Sequence, residues 1–178
     1  MTEEKKETWL NILALTTVIF AVCATLASFK GSSFSTRAVL SQSQATNQWS
    51  YYQSKSVKSY LYEVQLDQMD LAAKALATKD TALAGEYARL TKEYTDNIKR
   101  YDSEKADIMA EAKRLENVRD DTQLHALIFH VAVIWLQIAI LLSSIAALLK
   151  KKPLWLIGLA AGIVGLVYFG NGFFTVSL

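Results

Sequence analysis

Three stretches of this chain carry no Asp, Glu, Lys or Arg: Trp9–Phe29, Leu124–Leu149 and Leu154–Phe174. A helix rises 1.5 Å per residue, so even the shorter stretches reach about 30 Å, the thickness of a bilayer's hydrocarbon core. Only a helix or a closed barrel satisfies its backbone polar groups in hydrocarbon, and a single proline in 178 residues favours long helices. With 52% hydrophobic residues and a mean hydropathy of +0.16, the chain is more apolar than an ordinary soluble domain. The lone cysteine, Cys23, excludes an intrachain disulfide and a cysteine cluster. The expected fold class is all-α: three transmembrane helices with a long, coiled-coil-like antiparallel helical hairpin outside the membrane.

Charge orders these segments. A cytoplasmic tail over 1–8 precedes a first span over 9–29, a second span covers 124–149 and a third 154–174, followed by a C-terminal tail over 175–178. The leader Thr2-Glu3-Glu4-Lys5-Lys6-Glu7 is acidic on balance and the apolar run behind it is long, which favours a retained span over a cleaved signal peptide. Lys150-Lys151-Lys152-Pro153 reads as a tight turn over 150–153, with Pro153 suited to a helix start. Three lysines in so short a loop, with Lys5 and Lys6 before the first span, place both on the cytoplasmic side and residues 30–123 opposite. The region between Lys30 and Asp121 holds 14 basic and 14 acidic residues, so it offers no basic face for nucleic acid.

Within 30–123, Gly31-Ser32-Ser33 is expected to break the first helix, with Ser35 or Thr36 capping a new one. That helix carries Val57, Leu61, Val64, Leu71 and Ala75 on one face. The reversal is expected near 78–86, between Thr78-Lys79-Asp80 and Gly85. The returning helix keeps heptad spacing through Tyr87, Tyr94, Ile98, Tyr101, Ile108, Ala112 and Leu115, and is expected to run from about Glu86 to Leu149. Trp49, Tyr52, Tyr87, Tyr94 and Tyr101 form a candidate oligomer or partner face, because two helices cannot bury aromatics spread over several faces.

Two patterns inside the spans bear on function. Gln123, His130, Gln137 and Ser144 recur every seven residues, a nearly straight polar stripe on an apolar rod. Polar side chains at bilayer depth face protein or water, so the stripe implies an inter-subunit seam, bundle packing or a water-filled path. Gly158, Gly162 and Gly165 form a small-residue face that permits close helix approach, and the ridge Ala14, Thr17, Ala21, Thr25 and Ser28 is a candidate partner for it. Gly170-Asn171-Gly172 is expected to loosen or end the third helix. His125 and His130 lie on different helix faces, unlike a metal-binding pair. No catalytic constellation and no cofactor or metal motif is recognisable, which argues against an enzyme.

The runs Trp9-Leu10-Asn11, Ala14-Leu15-Thr16-Thr17-Val18, Thr36 through Ala45, Gln48 through Ser56 and Tyr60-Leu61-Tyr62-Glu63 resemble a bacterial family of small membrane proteins, domain-of-unknown-function family four-three-three-seven. The resemblance implies bacterial origin and a small membrane protein, with no activity or catalytic residue to carry over. The expected role is an oligomeric scaffold or accessory protein of the bacterial inner membrane, with a periplasmic hairpin, membrane lipid around its spans and other envelope proteins as possible partners. The alternative is an oligomeric pore lined by the stripe of the second span.

Overall fold

The computed structural model describes the backbone of residues 2–76 and 81–174, and the side chains of 8–74 and 83–174. Three helices make up the described chain: α1 (Thr2–Leu76), α2 (Thr81–Leu149) and α3 (Lys152–Phe174). Each contains a stretch long and apolar enough to cross a membrane, and no strand occurs among the described residues. Thr78-Lys79-Asp80, at the expected reversal, lie outside the described residues, as do the side chains of Lys5 and Lys6 and the C-terminal tail 175–178.

The expected break at Gly31-Ser32-Ser33 does not occur, and α1 runs straight through it. Gly31 serves packing: a Cβ there would stand 2.7 Å from His130 Cδ2 and 3.3 Å from Phe129 Cβ. Thr36 caps nothing, since its hydroxyl donates 2.9 Å back to the Ser32 carbonyl one turn earlier. Gly85 is likewise helical, inside α2, with open space around it. An exposed glycine costs a helix only about 1 kcal/mol relative to alanine, so a long helix absorbs it.

The chain divides into two compact units, Met1–Leu40 with Val118–Leu178, and Ser41–Asn117. In the first, all three helices pack in three layers. Trp9 and Leu13 meet Ala146, with Leu154 and Trp155 against them. Phe20 and Ala24 meet Leu136, Ala139 and Ala161. Ala27 meets Phe129 and Ala132, with Phe34 and Phe169 against them. Residue numbers rise on α1 and α3 as they fall on α2, so α2 runs opposite to both.

The glycines of α3 set these distances. A Cβ on Gly158 would stand 3.1 Å from Leu142 Cβ, on Gly165 2.8 Å from Leu136 Cγ, and on Gly172 2.9 Å from the Phe129 ring. These three, seven residues apart, form the α2-facing groove, whereas Gly162 faces α1 and a Cβ there would collide with the Phe20 ring. The small-residue face of α3 is therefore used within the chain. Its partner on α1 is Phe20, and the ridge expected to receive it is turned elsewhere: Ala14, Ala21, Thr25 and Ser28 are exposed. Nor do Gly170-Asn171-Gly172 end α3, which continues to Phe174 because Gly172 is the last seat for Phe129.

The α2–α3 connection is Lys150 and Lys151 alone. Lys150 adopts a left-handed φ of 52°, and the Lys151 N–H donates 3.2 Å to the Ala146 carbonyl. This is the Schellman closure, which satisfies a terminal carbonyl as the chain reverses.

In the second unit, Tyr101, Ile108, Ala112 and Leu115 of α2 are buried, as their spacing predicts, together with Ser41, Ala45 and Ser59 of α1. Trp49 contacts Glu116, Lys55 contacts Glu104, and Tyr62 contacts Tyr101 and Tyr94, again in descending order along α2.

Gly162→Ala is expected to destabilise the first unit by about 1–3 kcal/mol, the usual cost of overpacking. Combining it with Phe20→Leu should recover part of that loss, as measured by thermal unfolding in detergent.

Candidate assembly surfaces

The polar stripe of α2 lies on the outside of the first unit. Gln123, His130, Gln137 and Ser144 are all exposed. Ser144 donates 2.8 Å to its own Ile140 carbonyl, as Thr25 on α1 does to Ala21 at 2.9 Å, so these hydroxyls are satisfied locally. The Gln137 amide is different: one turn of helix offers it no such bond. It lines a groove of about 580 Å³ whose α1 wall is formed by Ala21, Ala24, Thr25, Ser28 and Ser32 with Phe29 among them. One member of the stripe, Gln137, thus meets three of the ridge, Ala21, Thr25 and Ser28.

His125 sits on another face. Its ring stacks on Phe34 at 5.0 Å, Nδ1 lies 3.3 Å from the Gly172 carbonyl, and Nε2 is 3.9 Å from Asp121. The Nδ1 contact is a hydrogen bond in the tautomer that carries its proton there. Around it Phe34, Phe129, Phe169 and Phe173 form a continuous aromatic cluster, with the Lys30 ammonium 5.9 Å above the Phe173 ring. This cluster is not among the sites expected from the sequence, although the spacings of His125 with Phe129 and of Phe169 with Phe173, four residues each, mark one helix face apiece. At the opposite end, Trp9 and Trp155 lie 6.3 Å apart, with the Lys152 ammonium 5.8 Å from the Trp9 ring.

In the second unit the candidate aromatic face turns out to line the contact between α1 and α2. The Trp49 indole N–H donates 2.9 Å to Glu116, and Tyr52 packs edge-on against Trp49 at 5.7 Å. Tyr94 and Tyr101 lie 5.2 and 5.9 Å from Tyr62. Tyr87 borders a shallow hollow with Leu83, Glu86 and Leu90.

One ion pair joins the helices at the centre of this seam. The Lys55 ammonium lies 5.2 Å from each of the Tyr51 and Tyr101 rings and 2.5 Å from Glu104. Its hydrogen bond to Glu104 holds the Lys55 pKa above the ordinary lysine value, and the same bond holds Glu104 below the ordinary carboxylate value. The lysine's contribution to stability is full below its unfolded pKa and is lost as pH rises through the raised value. The glutamate's is full above its unfolded pKa and is lost as pH falls through the lowered one. Both are present together across the neutral range.

Meanwhile the α1 face that carries Val57, Leu61, Val64 and Leu71 is largely turned from the seam, with Val64 half-buried and Leu61 at the edge of a hollow beside Tyr94 and Tyr101. Val57, Leu61 and Leu71 are 59%, 58% and 68% exposed. The helix carries two heptad stripes on opposite sides, and the one that meets α2 is the less apolar: Ala45, Trp49, Tyr52, Ser59 and Tyr62.

Glu104→Gln is expected to loosen the seam at neutral pH, speeding amide exchange over residues 52–59 and 100–108, and to flatten its acid dependence. Exchange followed from pH 3 to pH 8 reads both effects.

No curated protein and no solved structure is similar to this chain. One family does match, over residues 9–175, and it covers all three helices: the chain belongs to the family described as Domain of unknown function (DUF4337).

Proposed function

We propose that the protein is a multi-pass membrane scaffold or accessory protein that self-assembles. The apolar parts of the three helices cross the bilayer, and Ser41–Asn117 stands outside it as an antiparallel helical hairpin. The observation that carries the assembly is the groove beside Gln137. An amide halfway along an apolar helix has no hydrogen-bonding partner in lipid, and a second copy supplies one. The small side chains Ala21, Thr25 and Ser28 of the opposite wall favour close approach of that copy, and Phe29 beside them offers it an apolar contact.

The orientation in this reading follows the lysines of the 150–152 turn, which favour the cytoplasmic side of a bacterial inner membrane, with the hairpin in the periplasm. The contacts of Trp9 with Trp155 and Lys152 support it, since they put the start of the first span beside that turn. Other envelope proteins are the partners such a hairpin would meet. The role proposed is not enzymatic.

Intact-mass measurement in native lipid particles is expected to give a defined oligomer, which Gln137→Leu shifts toward smaller species. A strict monomer for the parent protein would overturn the assembly. A second reading rests on the exposure of all four stripe residues, a pore lined by Gln123, His130, Gln137 and Ser144. In that reading purified protein in planar bilayers conducts, and His130→Ala or Gln137→Leu changes the conductance; silent bilayers remove it.

A further inference from the structure

We infer that the outer stripe of α1, Val57, Leu61, Val64, Gln68 and Leu71, is a parallel, in-register coiled-coil surface for a second copy of this chain. The stripe steps by four, three, four and three residues, the spacing of a two-helix seam, over about 21 Å of helix. Its own chain leaves most of it open: Val57, Leu61 and Leu71 are each more than half exposed and Gln68 is exposed, while Val64 is half-buried and Leu61 borders a hollow with Tyr94 and Tyr101. The opposite stripe of the same helix already engages α2 through Lys55, Ser59 and Tyr62.

Three arguments select a second copy as the occupant. The first rests on the membrane reading above: copies inserted with one topology present α1 in one direction, so parallel packing needs no further device. The second is Gln68. In a parallel seam Leu61 and Gln68 fall at the first core position of their heptads, with Val57, Val64 and Leu71 at the second, and a single polar residue at the first position fixes register. An amide carries both donor and acceptor, so Gln68 is its own complement across a two-fold axis. The third is charge. In the in-register arrangement the flanking positions pair Gln53 with Lys58, Tyr60 with Gln65, and Asp67 with Ala72 of the second copy. No like charges meet, whereas an antiparallel seam pairing Leu61 with Leu71 would set Asp67 against Asp67.

The test uses the full-length protein in native membranes, in a Cys23→Ala background, with single cysteines introduced as Leu61→Cys, Gln68→Cys, Glu63→Cys and Asp70→Cys. Oxidation with copper phenanthroline is expected to give dimer at 61 and 68 at least fivefold more than at 63 and 70. Leu61→Asp combined with Leu71→Asp should reduce crosslinking through position 68 by a similar factor while leaving intrachain amide protection over 41–117 intact. Equal yields at all four sites, or none at 61 and 68 while intact mass still shows an oligomer, would overturn this surface and leave the membrane assembly standing. A monomeric mass with no crosslinks would overturn both.

Discussion

The seating of α2 in the groove of α3 is the contact on which the first unit depends. Gly158, Gly165 and Gly172 remove side chains at three successive levels, and Leu142, Leu136 and Phe129 occupy the space. In the membrane reading proposed above no hydrophobic drive brings these helices together, so dispersion at close approach is what remains. Such an approach has to be built from absences, because any Cβ at these levels would hold the helices apart. The fourth glycine, Gly162, extends the same device to α1 by admitting the Phe20 ring, and Gly31 completes it by admitting His130. Five small gaps thus tie three helices into one packed body.

The second unit solves the opposite problem. It is highly charged, and its seam is held by groups that tolerate water: an indole donating to Glu116, a lysine between two tyrosine rings, and tyrosines packed on one another. Such a seam encodes position well, because its polar contacts are specific, and Ile108, Ala112 and Leu115 of α2 supply its buried aliphatic part. The aliphatic residues of α1 lie largely on the other side of the helix, with Val57, Leu61 and Leu71 exposed.

The helices themselves were legible in the sequence, because charge-free stretches and heptads are one-dimensional signals. What misled was the meaning of glycine. Gly31 reads as a break and Gly85 as the end of a reversal, but a helix that is already long absorbs one glycine cheaply, and Gly31 is needed as space. Likewise the periodicity of α1 was correct while its direction was ambiguous, because two stripes seven residues in period coexist and a sequence does not say which faces inward. The meeting of Gln137 with the Thr25 and Ser28 ridge, and the Lys55–Glu104 pair, depend on register between distant segments. No local pattern carries that information.

The two-residue link between α2 and α3 has a topological consequence. With Lys150 closed into a left-handed turn and Lys151 bonded back to Ala146, α3 has no slack with which to reach another molecule. Passing α3 to a neighbour would first require Lys150 to leave its left-handed turn and the Lys151 bond to Ala146 to break, so the closed turn acts as a latch that keeps α3 on its own α2.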